Sequence, residues 1–186
     1  MKNSYPVNVH RACGHNEVAS IRYGSAREKS SELSAAKAIF CCSCRAMVEA
    51  WMSRDSAVGP YDLTLPALTG TPRRVSWAQG LRTKLALPLL RAMTSAAEHG
   101  GPMGAAVWKS LYAVVTQRDA SVWIDNRERG FCHYTIEREA GCFARGFDGL
   151  ALGSTLYSQI RKSGADRIAE IEKSCPVTLP LQEVAS

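Results

Sequence analysis

No stretch of this chain is apolar for long enough to cross a bilayer: uncharged apolar runs such as Leu85 to Leu90 fall far short of the roughly 18 residues a spanning helix needs. The first residues, Met1 to His15, contain no apolar h-region of the kind an export signal carries. A soluble, non-secreted, cytoplasmic protein is expected. No internal repeat of about 20–50 residues is present, and no low-complexity tract interrupts the chain. Nucleotide-binding signatures are missing as well. Gly153-Ser154-Thr155 lacks the lysine of a phosphate-cradling loop, and no Gly-x-Gly-x-x-Gly follows a strand-like segment. Cys132 and His133 do not make a nucleophile and base by adjacency, because neighbouring side chains on a strand point to opposite faces.

What is present resembles an ordinary folded domain. The 186 residues are 46% hydrophobic and 22% charged, which leaves room for one domain and a small appendage. The net charge of +6 comes from residues 1–130, while the remainder is slightly acidic. That balance suits contact with phosphates or with an acidic partner. Seven cysteines, an odd number, in a chain without an export signal point to reduced thiols and to metal before disulfide.

The periodicities predict an α+β protein, mainly helical, with a small N-terminal metal module of short strands and helices. Val7 and Val9 alternate with polar neighbours, and Val18 to Tyr23 is strand-forming and closed by Gly24. Ser25-x-x-Glu28 is a capping box opening a helix whose apolar face is Leu33, Ala36 and Phe40. A second helix carries Met47, Val48, Trp51 and Met52. Residues 1–55 are read as the module and 56–70, with Gly59, Pro60, Pro66 and Gly70, as a boundary loop. Residues 71–173 are read as a helical domain and 174–186 as a tail.

Within that domain, Thr71-Pro72 starts a long helix. Pro88 predicts a kink or a division into two helices. Ala105 to Gln117 reads as a buried helix, and Ala120 to Arg127 as a short one. Gly130 to Gly153, with its strand-like Phe131 to Ile136, reads as a small hairpin or an irregular loop. Ser154 or Thr155 caps a last helical stretch, broken at Gly164.

The chemistry concentrates in Cys13-x-His15 and Cys41-x-x-Cys44. Two knuckles, each with two soft or borderline donors, suit tetrahedral zinc, and the 25 residues between them allow the second to return to the first. Cys42 and His10 are rival ligands, and Cys41 is preferred because the two-residue gap to Cys44 lets both sulfurs converge on one ion. Four protein ligands leave no coordination position open, so the zinc is expected to be structural and the protein not an enzyme. Cys132, His133, Cys142 and Cys175 lack paired spacing and are read as ordinary thiols and a histidine. On the long helix, Arg73, Lys84 and Arg91 fall within about 20° of one another on the side opposite Val75, Ala78, Leu85, Leu89 and Ala96. With Arg74 and Trp77 they make a candidate stripe for nucleic acid or a protein partner. Trp77 and Trp123 also read as candidate core residues, as tryptophans at helical spacing usually are.

Cys-Gly-His, Cys-x-x-Cys, Leu65-Pro66-Ala67-Leu68-Thr69-Gly70-Thr71-Pro72-Arg73-Arg74-Val75-Ser76-Trp77-Ala78 and Trp123-Ile124-Asp125-Asn126-Arg127 occur in that order over residues 5–130. This order resembles a group of zinc-module proteins carried by bacterial phages, plasmids and integrative elements. Arg74 stands where the group usually has Gln, and Val122 where it usually has Trp. The resemblance implies a mobile-element setting and a zinc module. In that setting the expected function is non-enzymatic engagement of nucleic acid or a nucleoprotein complex. A host-defence inhibitor of anti-CRISPR or anti-restriction type is one concrete form. A DNA-binding regulator is the alternative, and a hydrolase using His133 or His99 is the third reading.

Overall fold

The computed structural model describes residues 3–53, 57–128, 130–145, 155–163 and 165–177. Two strands, β1 (Asn3–His10) and β2 (Asn16–Tyr23), form an antiparallel hairpin in register from Asn3 opposite Tyr23 to His10 opposite Asn16. Its alternation buries Val9 and Ile21 on one face and leaves Val18 in solvent. Helix α1 (Ala26–Ala38) packs on β2 and begins with the capping box: the Glu28 amide donates to Ser25 Oγ at 3.2 Å, and the Gly24 amide to Glu28 Oε2 at 2.8 Å. Helix α2 (Cys42–Trp51) follows after a short turn.

The helical body is built on α3 (Pro72–His99) and α4 (Gly101–Val115), joined at Gly100. Thr71 caps α3, and Pro72 occupies its first turn. Helix α4 is buried almost all round, from Met103 to Val115, because α3 covers one side and α6 (His133–Arg145) another. Helix α5 (Ala120–Asp125) closes over α3 and buries Trp123, whose Nε1 donates to the Gln117 carbonyl at 3.2 Å. Helices α7 (Leu156–Ser163) and α8 (Ala165–Ser174) add a smaller apolar cluster around Cys142, Phe143, Tyr157 and Ile171. Among the described residues no helix is long and apolar enough to cross a membrane.

Several local expectations change. Of the two alternatives at Pro88, the division into two helices is not found: α3 is one continuous helix through it. A proline inside a helix costs about 3 kcal/mol, and here burial of Ala86, Leu89, Ala92 and Met93 around it offsets that cost. Residues 133–145 are helical rather than a hairpin or loop. The Cys132 carbonyl accepts the amides of Thr135 and Ile136, and Ile136, Glu137, Ala140 and Gly141 then face the body at helical spacing. Strand-forming side chains at 131–136 misdirect a local reading, and burial against α4 overrides them. Thr155 caps α7 through Oγ1, which accepts the Ser158 amide at 3.1 Å; Ser154, Gly164 and residues 146–153 lie outside the described set. Of the tail, Cys175 and Val177 lie against the main core.

The main core runs through both expected regions without a break: Cys13, Phe40, Cys41, Cys44 and Val48 share one apolar cluster with Leu89, Trp108, Leu111 and Ile136. The segment 57–65 lies across it, with Tyr61 edge-on to Trp108 at 5.8 Å between centroids.

A buried acid ties α6 to α7. Glu139 accepts the Leu156 amide at 2.8 Å and the Tyr157 amide at 2.9 Å. Its burial outweighs these bonds and raises its carboxyl above the usual value of about 4.5. The folded state therefore holds this proton more tightly than the unfolded chain does. The contribution is fully present below about pH 4.5 and is lost as pH rises through the raised folded value. Thermal melts of Glu139→Gln beside the natural protein between pH 4 and 7.5 are expected to show the variant gaining on it as pH rises; a constant offset would contradict this.

Candidate functional site

The first knuckle is the tip of the hairpin. Arg11 donates its amide to the His15 carbonyl at 2.8 Å and the Gly14 amide donates back to the Arg11 carbonyl at 3.0 Å, closing a five-residue loop. Gly14 adopts φ +87°, a left-handed conformation that costs other residues about 1–2 kcal/mol. This turn aims Cys13 and His15 the same way. The second knuckle is the entry to α2, where Cys41 is the N-cap and Cys44 lies in the first turn. One backbone bond joins the two knuckles, from the Ala12 amide to the Ile39 carbonyl at 3.1 Å.

The donor atoms of Cys13, His15, Cys41 and Cys44 all lie within 4.8 Å of one another. His15 presents Nδ1, 3.2 Å from Cys44 Sγ and 3.7 Å from Cys41 Sγ. Tetrahedral bonds of about 2.3 Å to sulfur place neighbouring sulfurs roughly 3.8 Å apart, so the spacing fits a single ion at the centre. The Cys41 amide donates to Cys13 Sγ at 3.3 Å, a bond that supports a thiolate ligand. Three cysteines are buried and the histidine is exposed, which puts the cluster at the edge of the core.

The acidities differ sharply. Burial alone would push the Cys41 thiol up, but hydrogen bonds from the Cys44 amide and from the Cys44, Cys13 and His15 side chains outweigh it and bring it down to about 7. Burial, then the neighbouring Cys41 and Cys13 sulfurs, push Cys44 far above the usual thiol range. Three thiolates this close repel one another, and a divalent cation between them removes that repulsion.

Both rivals face elsewhere. Cys42 is exposed, its amide donates to Glu17 Oε1 at 3.0 Å, and its thiol is raised by the adjacent Glu17 carboxylate. His10 Nδ1 lies 3.2 Å from Asn16 Oδ1. Among the described residues the four predicted ligands are the one group positioned to hold a metal. Cys142 is buried near Thr155, and Cys175 is half-buried against the core. His133 lies 4.0 Å from Glu49 and His99 packs against Trp51, so neither faces the cluster.

Sequence reasoning missed the residues that hold the knuckles in place. Buried Arg11 binds Glu17 at 2.6 Å and donates to the Ala36 carbonyl at 2.5 Å, linking the hairpin to α1. Glu17 is held below the usual carboxylate range, first by the Cys42 amide, then by the Cys42 side chain and by Arg11, and so joins the hairpin to α2. Glu137, buried on α6, accepts the Phe40 amide at 3.1 Å and pairs with Arg45 at 3.1 Å. No motif marks these side chains as partners, because 97 residues separate Phe40 from Glu137.

The stripe on α3 is divided. Arg73, Arg74, Trp77 and Lys84 are exposed, and the first turn of α3 has no acid. Trp77 is 53% exposed and carries the Arg127 guanidinium 5.8 Å from its ring centroid, whereas Trp123 is fully buried. Arg74 lies near enough to Asp119 to lower its carboxyl, behind the larger effect of the Ser121 amide. Arg91 is half-buried, because the segment 57–65 crosses α3 there: the Tyr61 amide donates to the Leu90 carbonyl and Thr94 Oγ1 donates to the Gly59 carbonyl. Arg82, which the sequence did not single out, is buried on the same helix and donates to the Pro66 carbonyl at 2.6 Å.

No protein-family model matches this chain, and no curated protein or solved structure is significantly similar to it.

Proposed function

We propose that the cluster holds structural zinc and that the protein is a non-enzymatic binding protein that engages nucleic acid, free or in a nucleoprotein complex, through the exposed face of α3. The donor set supports the first part. Three sulfurs and one imidazole nitrogen favour zinc over the hard cations, which take oxygen ligands. With four protein ligands the ion has no position left for water or substrate, so its work is to fix the two knuckles. Elemental analysis of the purified protein is expected to find one zinc per chain.

One observation carries the second part: a half-exposed tryptophan with arginine over its ring, set in line with Arg73 and Lys84 on one helix face. Exposed Trp and Arg together dominate binding surfaces, and the positive charge selects an anionic partner. The resemblance to mobile-element proteins supports a bacterial nucleoprotein as the target, with inhibition of a host-defence complex as the concrete form. Affinity capture from a bacterial lysate, with retained nucleic acid quantified after protease digestion, tests this. The natural protein is expected to retain nucleic acid and the double variant Arg73→Glu/Lys84→Glu to lose most of it. Equal retention by both, or none by either, would overturn the reading.

A further inference from the structure

We propose that the partner is a single strand of nucleic acid, with one unpaired base stacked on Trp77 and the flanking phosphates on Arg73 and Lys84; the proposal rests on the function inferred above and specifies its substrate. At 100° per residue, Arg73 and Lys84 fall within about 40° of Trp77 around α3. A rise of 1.5 Å per residue places Arg73 about 6 Å before Trp77 along the axis and Lys84 about 10 Å beyond it. The three make a single file of cation, aromatic, cation, which suits one backbone with a base turned inward.

The tryptophan is held ready. Arg127 lies over its ring while one guanidinium nitrogen donates to the Ile124 carbonyl at 3.1 Å and another pairs with Glu128 at 3.3 Å. The cation is thus fixed from α5 and its far end, and the indole is presented without depending on a partner for its orientation. A positive charge against an aromatic ring adds to stacking in sites that take bases without regard to sequence.

The surroundings disfavour a duplex. Bases in a duplex are already stacked on each other, and inserting an indole between them costs a few kcal/mol per step. Beside Arg127 the surface turns acidic, with Asp125 and Glu128 both exposed, so a second strand on that side would meet negative charge. A single strand needs only the file on α3.

Fluorescence anisotropy with the zinc-loaded full chain, using a labelled 12-nucleotide thymidine strand and a duplex of equal length at low salt, tests the proposal. The single strand is expected to bind at least tenfold more tightly than the duplex. Trp77→Ala is expected to weaken the single strand by about 5- to 150-fold, from the 1–3 kcal/mol that one base stack supplies, and Trp77→Phe to restore most of it. Lys84→Ala is expected to lower the salt slope by about 0.7. The exposure of Trp77 means that its replacement leaves the fold intact, which a thermal melt verifies. Equal or tighter duplex binding, or an unchanged Trp77→Ala, overturns the stacking proposal while the charge-reversal result in the lysate still supports a nucleic-acid-binding protein. Absence of oligonucleotide binding combined with a blank capture overturns both.

Discussion

Replacing Cys44 by Ser is expected to remove the metal and to unfold the N-terminal region. Hydroxyl is a poor ligand for the soft half of this donor set, so the site falls to three ligands and loses most of its affinity. Structural zinc contributes about 10–16 kcal/mol in small metal modules, as much as the entire stability of a typical domain. The loss will not stay local, because Cys44 and Val48 lie in the same apolar cluster as Leu89 and Ile136. The variant should therefore contain no zinc, melt tens of degrees lower or without a cooperative transition, and show early proteolysis within residues 1–53. A chelator should do the same to the natural protein, and added zinc should reverse it. Cys42→Ser is the matched control, since that thiol faces solvent: it should keep its zinc and its melting temperature. A metal-free Cys44→Ser that melts like the natural protein would refute the structural role.

The second large effect is expected at Gly141, far from the Cys/His cluster in sequence. Helix α6 crosses the end of α1 so closely that a methyl group on Gly141 would sit 2.0 Å from the Ala38 carbonyl oxygen. The obstacle is backbone and cannot rotate aside, so Gly141→Ala must push the helices apart by more than an ångström. Overpacking of this kind costs about 3 kcal/mol or more. For a chain of this size that corresponds to a fall of roughly 6–12 °C in Tm. The displaced backbone continues directly into Ile39, which binds the Ala12 amide, and into Phe40, which binds Glu137. Zinc affinity should fall together with stability, and a competition assay with a chromophoric chelator measures it. Gly80→Ala provides the contrast: Gly80 is an exposed helical position with open space around it, where alanine should stabilise by about 1 kcal/mol. A Gly141→Ala protein as stable as the natural one would mean that α6 does not approach α1 in this way.

The cluster of four donors was legible because the chemistry that would hold a metal is local twice over. Cys13 and His15, and Cys41 and Cys44, are each close enough in sequence for one turn to aim both donors, and the only long-range step is a return that 25 residues readily allow. The caps were legible for the same reason: Ser25 with Glu28, and Thr71 with Pro72, act within a single turn. Amphipathic periodicity likewise marked the start of the long helix and the exposure of Arg73 and Lys84 on it. Choosing Cys41 over Cys42 also followed from spacing, although the physical reason, the pull of Glu17 on the Cys42 amide, lay outside any local pattern.

Tertiary structure decided what local chemistry leaves balanced. Residues 131–136 have strand-forming side chains, yet burial of Ile136 and Ala140 against the body selects a helix. Pro88 is tolerated within one helix because packing along both halves of α3 offsets its cost, and Arg91 leaves the exposed stripe because a distant loop covers it. Trp77 and Trp123 look alike in sequence, and only the placement of α5 buries one and leaves the other in solvent. Sequence alone determined which side chains could grip an ion, since that depends on donor type and short spacing. The fold determined which neighbours hold them in place and which side chains of α3 stay exposed, since those depend on contacts between residues that the chain itself keeps far apart.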